Sequence, residues 1–187
     1  MRIIGGTLRG RAIRPPRQGV RPSQDRVREA LFSMLADRIR GARFLDLFAG
    51  SGAVGLEAWS RGAAAVCWVE RDPRALLVLR ATVSALCGSN EGVVGMDVPL
   101  FLKRRFAGGA FDVVFADPPY GRSGPAAWGV RLLAALAASP LLPPDGVFVL
   151  EQSAREAPGA HPAWRVLADR RYGDSRLRLY RRMTAGE

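Results

Sequence analysis

The segment Phe44–Ala58, FLDLFAGSGAVGLEA, leaves a chain little choice of fold. The apolar run Arg43–Phe48 has the density of a strand buried on both faces. It breaks at Gly50 and Gly52, and a helical pattern takes over across Gly52–Arg61. Those two glycines allow a sharp turn and a close approach of backbone to a ligand. The helix that starts there offers free N–H groups to an anion or a carboxylate. A strand of this kind needs helices on both faces of its sheet.

The alternation continues along the chain. Strand-like runs at Ala64–Val69, Gly92–Met96, Phe111–Ala116 and Val147–Glu151 interleave with helical stretches at Pro73–Leu86, Val98–Phe106 and Ala126–Ala138. Trp164–Arg171 and Arg176–Arg182 are separated only by Tyr172–Gly173–Asp174–Ser175, too short for a helix. They are expected to pair as an antiparallel hairpin at the sheet edge. The predicted fold is α/β: a Rossmann-like, seven-stranded, mostly parallel sheet with a C-terminal antiparallel hairpin. Residues 1–22 are broken by Gly5, Gly6, Gly10, Pro15, Pro16, Gly19 and Pro22 and are expected to form an extended basic arm. A single domain over 23–187 follows, opening with an amphipathic helix over 23–40 that Ser23 would cap.

Charge narrows the partners. The net charge is +11, and Lys103 is the only lysine. Eight arginines fall in the first 28 residues, opposed only by Asp25. Arg170, Arg171, Arg176, Arg178, Arg181 and Arg182 form a second cluster. Two basic patches on one domain are the footprint of a protein that binds a phosphate backbone; a solvated cationic surface is the plainer alternative. No run of about 18 apolar residues and no signal-peptide core occurs, so a cytoplasmic protein without a membrane span is expected. Cys67 and Cys87 lack partners at metal-binding spacing, and His161 is the only histidine. No metal site and no Ser-His-Asp triad is therefore expected.

Gly50-Ser51-Gly52-Ala53-Val54-Gly55 satisfies the dinucleotide pattern G-x-G-x-x-G, and Glu70 ends the next strand about 20 residues on, where an acid can hold ribose hydroxyls. NAD or FAD thus stands beside S-adenosylmethionine as the cofactor, with a plain glycine turn as the bland alternative. Asp46 favours S-adenosylmethionine. A carboxylate inside an apolar strand is costly without a partner, and the cofactor's ammonium group would be one.

The second motif is FDVVFADPPYG over 111–121. Ligands of open α/β sheets sit outside the carboxyl ends of the strands. Asp117 is therefore aimed at the same crevice as the glycine loop. Pro118 and Pro119 lack N–H donors and stiffen the turn, which leaves a patch of acceptors beside the aromatic face of Tyr120. An exocyclic amino group on a nucleobase is a poor nucleophile, because its lone pair is delocalised into the ring. Acceptors gripping its N–H bonds orient it, a nearby carboxylate stabilises the charge that develops, and Tyr120 would stack on an extruded base. A Pro-Pro turn with Asp117 as a local cap is the structural alternative.

With these residues in hand, the sequence resembles the RsmD family, bacterial methyltransferases of guanine N2 in 16S ribosomal RNA. The likeness runs from about Arg2 to Arg182. It rests on RIIGG at 2–6, RGR at 9–11, RPSQDRVREALF at 21–32, LDLFAGSGAVGLEA, VERD at 69–72, DPPY and YGDSRLRLYRR. The resemblance implies that Asp46, Phe48, Gly50, Ser51 and Gly52 cradle the methionine part of S-adenosylmethionine. Glu70, with Arg71 beside it, would hold the ribose, and Asp97 with Val98 would face the adenine. Ser23 and Arg26 would help to close the cofactor pocket. Asp117, Pro118 and Tyr120 would hold the target guanine. Arg2, Arg9, Arg11 and Arg14 of the arm would grip the RNA. The implied partner is 16S rRNA. A small domain with a short basic arm has few ways to read sequence, so an assembled or assembling small subunit is expected as substrate. No heptad or exposed apolar stripe demands more than a monomer. DPPY alone is equally compatible with an adenine-N6 methyltransferase of DNA or RNA. An NAD-dependent oxidoreductase and a non-catalytic RNA-binding assembly factor are the readings from other classes.

Overall fold

In the computed structural model the described residues are 1–14, 22–104, 108–119, 126–156 and 159–183. The chain runs α1 (Pro22–Met34), α2 (Ala36–Ile39), β1 (Arg43–Leu47), α3 (Ala53–Ser60), β2 (Ala65–Glu70), α4 (Pro73–Cys87), β3 (Val93–Gly95), α5 (Val98–Lys103), β4 (Val113–Ala116), α6 (Ala126–Ala137), β5 (Val147–Ser153), β6 (Trp164–Tyr172) and β7 (Ser175–Arg182). The strands form one sheet in the order β3-β2-β1-β4-β5-β7-β6. Pairing is parallel from β3 through β5 and antiparallel from β5 to β7 to β6. This is the predicted architecture, with β7 lying inside the sheet and β6 forming its edge.

Both faces are covered, as the apolar strands require. Side chains alternate between them. Phe44, Val113, Val147, Leu177 and Leu179 join the core on the face of α1, α3 and α4. Leu45, Leu47, Val114, Phe148 and Tyr180 face α5 and α6. Among the described residues no helix is long and apolar enough to cross a membrane, and no cluster of His, Cys, Asp or Glu could hold a metal.

Three features differ from the sequence reading. The helix expected over 23–40 starts at Pro22, a favoured first position because proline has no N–H to lose there. Ser23 therefore lies inside the first turn rather than at the cap. The helix also breaks at Leu35, where the chain turns before α2.

Over its described part, residues 1–14, the arm is a hairpin seated on the core. Arg2 bridges Ala12, the Ile3 N–H donates to the Arg11 carbonyl and the Ile13 N–H to the Met1 carbonyl. Ile3 and Ile13 are buried. The seat is α3. The fully buried Glu57 carboxylate accepts from the N–H groups of Ile4 (2.8 Å) and Gly5 (2.7 Å) and from Arg61 Nε at 2.8 Å. Arg28 Nε stands 3.5 Å away on its other side. These partners compensate the burial of a carboxylate inside the core.

Three of the six C-terminal arginines are structural. Arg178 is 1% exposed, donates to Gln152 at 3.1 Å and pairs with Asp169 at 2.9 Å. Arg176 pairs with the other oxygen of Asp169 at 2.9 Å. Arg182 donates to the carbonyls of Leu136, Ala137 and Ser139 at the end of α6, where a cation complements the helix dipole. Arg170 and Arg171 remain exposed.

Candidate cofactor and substrate site

β1 has β2 on one side and β4 on the other, so the direction of strand addition reverses there. This is the switch point at which open α/β sheets place their ligands. Three loops converge at its carboxyl end: those after β1, β2 and β4.

The loop after β1 is held in a conformation that side chains rarely tolerate. Phe48 has φ 63°, Gly50 φ 54° and Gly52 φ 75°. The Ala49 N–H donates to Val69 O and the Gly52 N–H to Ala49 O. A Cβ on Gly52 would lie 2.3 Å from Leu79 Cδ1, and one on Gly55 would lie 2.1 Å from Trp68 Nε1. Trp68 in turn donates to Gly52 O at 3.3 Å. Gly50 opens the turn toward solvent, Gly52 starts the helix, and Gly55 lets α3 press against β2.

Glu70 ties two loops together. One carboxylate oxygen accepts from the Gly50 N–H at 2.8 Å. The other accepts from the N–H groups of Arg71 (2.8 Å) and Asp72 (2.7 Å). A carboxylate has about four acceptor sites, so one is left for a ligand.

Asp46 lies beneath the loop, 2% exposed. It has a partner within the protein: Oδ2 accepts from the Gly55 N–H at 2.9 Å, at the start of α3. Burial pushes its carboxyl up from 3.8 to about 7. The Gly55 hydrogen bond works against that shift, and the nearby Glu70 charge adds to it. Asp46 is thus a buried acid held well above the ordinary carboxylate range.

A cavity of about 240 Å³ opens between these loops, with Phe48, Glu70 and Arg71 on one side, Met96, Asp97 and Val98 on another, and Asp117 and Pro119 on the third. Asp97 precedes α5 but does not cap it. Its buried Oδ1 accepts no hydrogen bond, and Arg71 Nη1 stands 3.7 Å from it. The phenyl ring of Phe48 meets Trp128 of α6 edge to face, centroids 5.0 Å apart.

The structure therefore brings Phe48, Glu70, Arg71, Asp97, Val98 and Asp117 around one space. Gly50, Ser51 and Gly52 form the turn beside it. Pro118 is buried behind Asp117. Arg26 is elsewhere, lining a separate groove with Arg170 and Tyr172. Tyr120 and the side chain of Ser23 lie outside the described residues. Arg2, Arg9, Arg11 and Arg14 are exposed on the hairpin, and Arg2 Nη1 donates to Gly10 O at 2.8 Å. Met96, Trp128 and the seat at Glu57 carry no motif. Glu57 alone left a trace, as an acid within the apolar stretch AVGLEAWS.

Comparisons with known proteins agree with this geometry. The family described as Conserved hypothetical protein 95 matches residues 1–181. The chain is 37% identical over 189 residues to ribosomal RNA small subunit methyltransferase D of Escherichia coli K12, covering 100% of this chain and 92% of that one. It is 34% identical over 184 residues to the protein of the same description from Haemophilus influenzae, covering 96% and 93%. The solved structure of yhhF from Escherichia coli superposes with a TM-score of 0.82 at 35% identity, over 99% of each chain.

Proposed function

Because this chain belongs to the RsmD family, we propose that it transfers a methyl group from S-adenosylmethionine to the exocyclic N2 of a guanine in 16S rRNA. The observation that carries the proposal is the shared cavity. Asp117 and Pro119 of the DPP turn face the same 240 Å³ space as Glu70, Asp97 and Val98.

The residues fit the cofactor. The Gly50–Gly52 turn and the start of α3 would take the methionine carboxylate, because a helix N-terminus favours an anion. Asp46 would take the ammonium group through the oxygen not engaged by Gly55, and the pairing would ionise it. Glu70 has one acceptor site left for a ribose hydroxyl. The Asp97 Oδ1 that accepts no hydrogen bond suits the adenine amino group, with Val98 against the ring. Bound there, S-adenosylmethionine supplies an electrophilic methyl carbon on a sulfonium.

The substrate side is the work of Asp117 and its prolines. The carboxylate accepts one N–H of the guanine amino group, and a carbonyl of the proline turn accepts the other. The nitrogen lone pair is thereby aimed across the cavity. Methyl transfer would form the N–C bond as the methyl carbon–sulfur bond breaks and leaves a neutral thioether. The positive charge growing on nitrogen would lie within reach of the Asp117 carboxylate, which would stabilise it and take the departing proton. Tyr120 would stack on the base. The hairpin arginines Arg2, Arg9, Arg11 and Arg14 would neutralise phosphates of an assembled or assembling small subunit, with the protein acting as a cytoplasmic monomer.

The test is methylation of 16S rRNA or small subunits lacking the mark with methyl-labelled cofactor, followed by nucleoside mass spectrometry. N2-methylguanosine is expected. N6-methyladenosine would assign the alternative target, and calorimetric binding of NAD in place of S-adenosylmethionine would overturn the enzyme class.

A further inference from the structure

We propose that the groove between α1 and the β6–β7 hairpin is a second RNA-binding surface, holding the single strand that flanks the target base. This deepens the methyltransferase reading above and rests on it. The groove measures about 1050 Å³, against about 240 Å³ for the cavity at Asp117. From α1 it is lined by Arg26, Glu29 and Met34, and from β6 by Arg170 and Tyr172.

Its position follows from strand register. Ala116, the residue before Asp117, is level with Leu150 of β5. Three residues further along, Ser153 pairs with Ser175 of β7, and Ser175 pairs with Tyr172. The hairpin tip therefore overhangs the carboxyl end of the sheet by about 10 Å, at the end where Asp117 stands. β5 and β7 lie between β4 and β6, so the lateral offset is roughly 14 Å. A strand that delivers a base to Asp117 is within a few nucleotides of this groove.

The lining suits a nucleotide strand. Tyr172 is half-buried, packed against the core on one side and bordering the groove on the other. A ring held in this way is a ready stacking surface for any base. Arg26 and Arg170 stand on opposite walls as phosphate partners. Asp169, the acid next to Arg170 in sequence, is engaged by Arg176 and Arg178. The remaining acid, Glu29, is exposed on α1. It can accept hydrogen bonds from base amino groups while the two arginines keep the groove net positive. The segment YGDSRLRLYRR thus contributes Tyr172 to a surface and Arg178 to the core.

The test is fluorescence anisotropy with a labelled, unstructured RNA of about 12 nucleotides, a length spanning a typical single-strand site. Melting temperature and S-adenosylmethionine binding serve as controls on every variant. Tyr172→Ala is expected to weaken RNA binding about tenfold or more, and Tyr172→Phe to stay within about twofold, since stacking uses the ring and not the hydroxyl. Arg170→Ala should lower the slope of log affinity against log salt by about one. Wild-type affinity in folded Tyr172→Ala, or equal losses in the Ala and Phe variants, would overturn the proposal. Should Tyr172→Ala fail to fold, Arg170→Glu at its exposed position decides, and unchanged affinity there overturns it. A groove built for a protein segment gives that same unchanged result. Methyl transfer to 16S rRNA is followed in parallel. RNA binding that depends on the groove, without any methyl transfer by wild type, rejects the enzyme reading and keeps the groove as an RNA site. Intact transfer with indifferent groove variants rejects the groove alone.

Discussion

The Glu70 carboxylate accepts a hydrogen bond from the Gly50 backbone N–H at 2.8 Å, so a residue at the end of β2 holds the loop that follows β1. Glu70→Ala is expected to lower the stability of the cofactor-free protein as well as cofactor affinity. It removes three hydrogen bonds to an ionised acceptor in a half-exposed setting, at a cost of about 1–2 kcal/mol, or about 3–6 °C in Tm for a chain of this size. Thermal unfolding without ligand checks this. An unchanged Tm would make Glu70 a ribose ligand only.

Asp46 titrates in the opposite sense to a typical surface carboxylate. Its carboxyl rises from 3.8 to about 7 on folding, so the folded state binds the proton more tightly than the unfolded chain. Its contribution is favourable below pH 4, is lost as pH rises through the window from about 4 to 7, and stays lost above it. Asp46→Asn keeps an acceptor for the Gly55 N–H without the charge. Relative to wild type it should therefore gain on the order of a few kcal/mol between pH 4 and pH 8. Denaturant unfolding at both values measures this, and a gap that does not change with pH refutes it.

If an ammonium group settles beside Asp46, the acid must ionise as the ligand binds. Calorimetry of S-adenosylmethionine binding near pH 6.5, in two buffers of different ionisation enthalpy, should show net proton release. Asp46→Asn should abolish that release. Equal apparent enthalpies in the two buffers for wild type would remove Asp46 from the ammonium site.

Gly55→Ala should be severely destabilising, because the new methyl would stand 2.1 Å from Trp68 Nε1 in the packed face of α3. Overpacking of this kind costs about 1–3 kcal/mol. Trp68→Phe in the same chain should recover part of the loss by removing the atom in the way. A double-mutant cycle on unfolding free energy reads the coupling, and additivity would show that α3 relaxes away instead.

Asp169→Ala strands Arg178, which is 1% exposed, without its carboxylate. The expected loss is about 1–3 kcal/mol, because Asp169 is 38% exposed and Arg178 keeps its bond to Gln152. Arg178→Met fills the same space without charge and should leave the salt dependence of RNA binding unaltered. A fall in that dependence would return Arg178 to the RNA surface.

Periodicity and glycine chemistry made β1 through β5 and the crevice at their carboxyl ends legible, because parallel strands buried on both faces read as apolar runs. The end of β1 could be read only to within a residue, since Phe48 is apolar yet turns with φ 63°. The hairpin was legible as a pair of strands, but not the insertion of β7 between β5 and β6. Long-range pairing leaves no local signal. The same holds for the C-terminal arginines: composition marks Arg178 as surface, and only its burial beside its cross-strand partner Asp169 shows it to be core. In the sequence Glu70 reads as a ribose ligand or an ordinary strand-end carboxylate, and Asp46 as a partner for an ammonium group. Their bonds to Gly50 and Gly55 join residues 20 and 9 positions apart, which spacing in sequence does not disclose.

The seat of the N-terminal hairpin on Glu57 and Ser60 joins residues 52 to 55 positions apart. During synthesis at about 5–20 residues per second, the arginine-rich hairpin therefore waits roughly 3–10 seconds for its seat to be made. For that interval Ile3 and Ile13 have no core to enter and Ile4 and Gly5 no carboxylate to bind. A nascent chain halted before Glu57 would carry a cationic segment without its seat, beside the ribosome's own RNA.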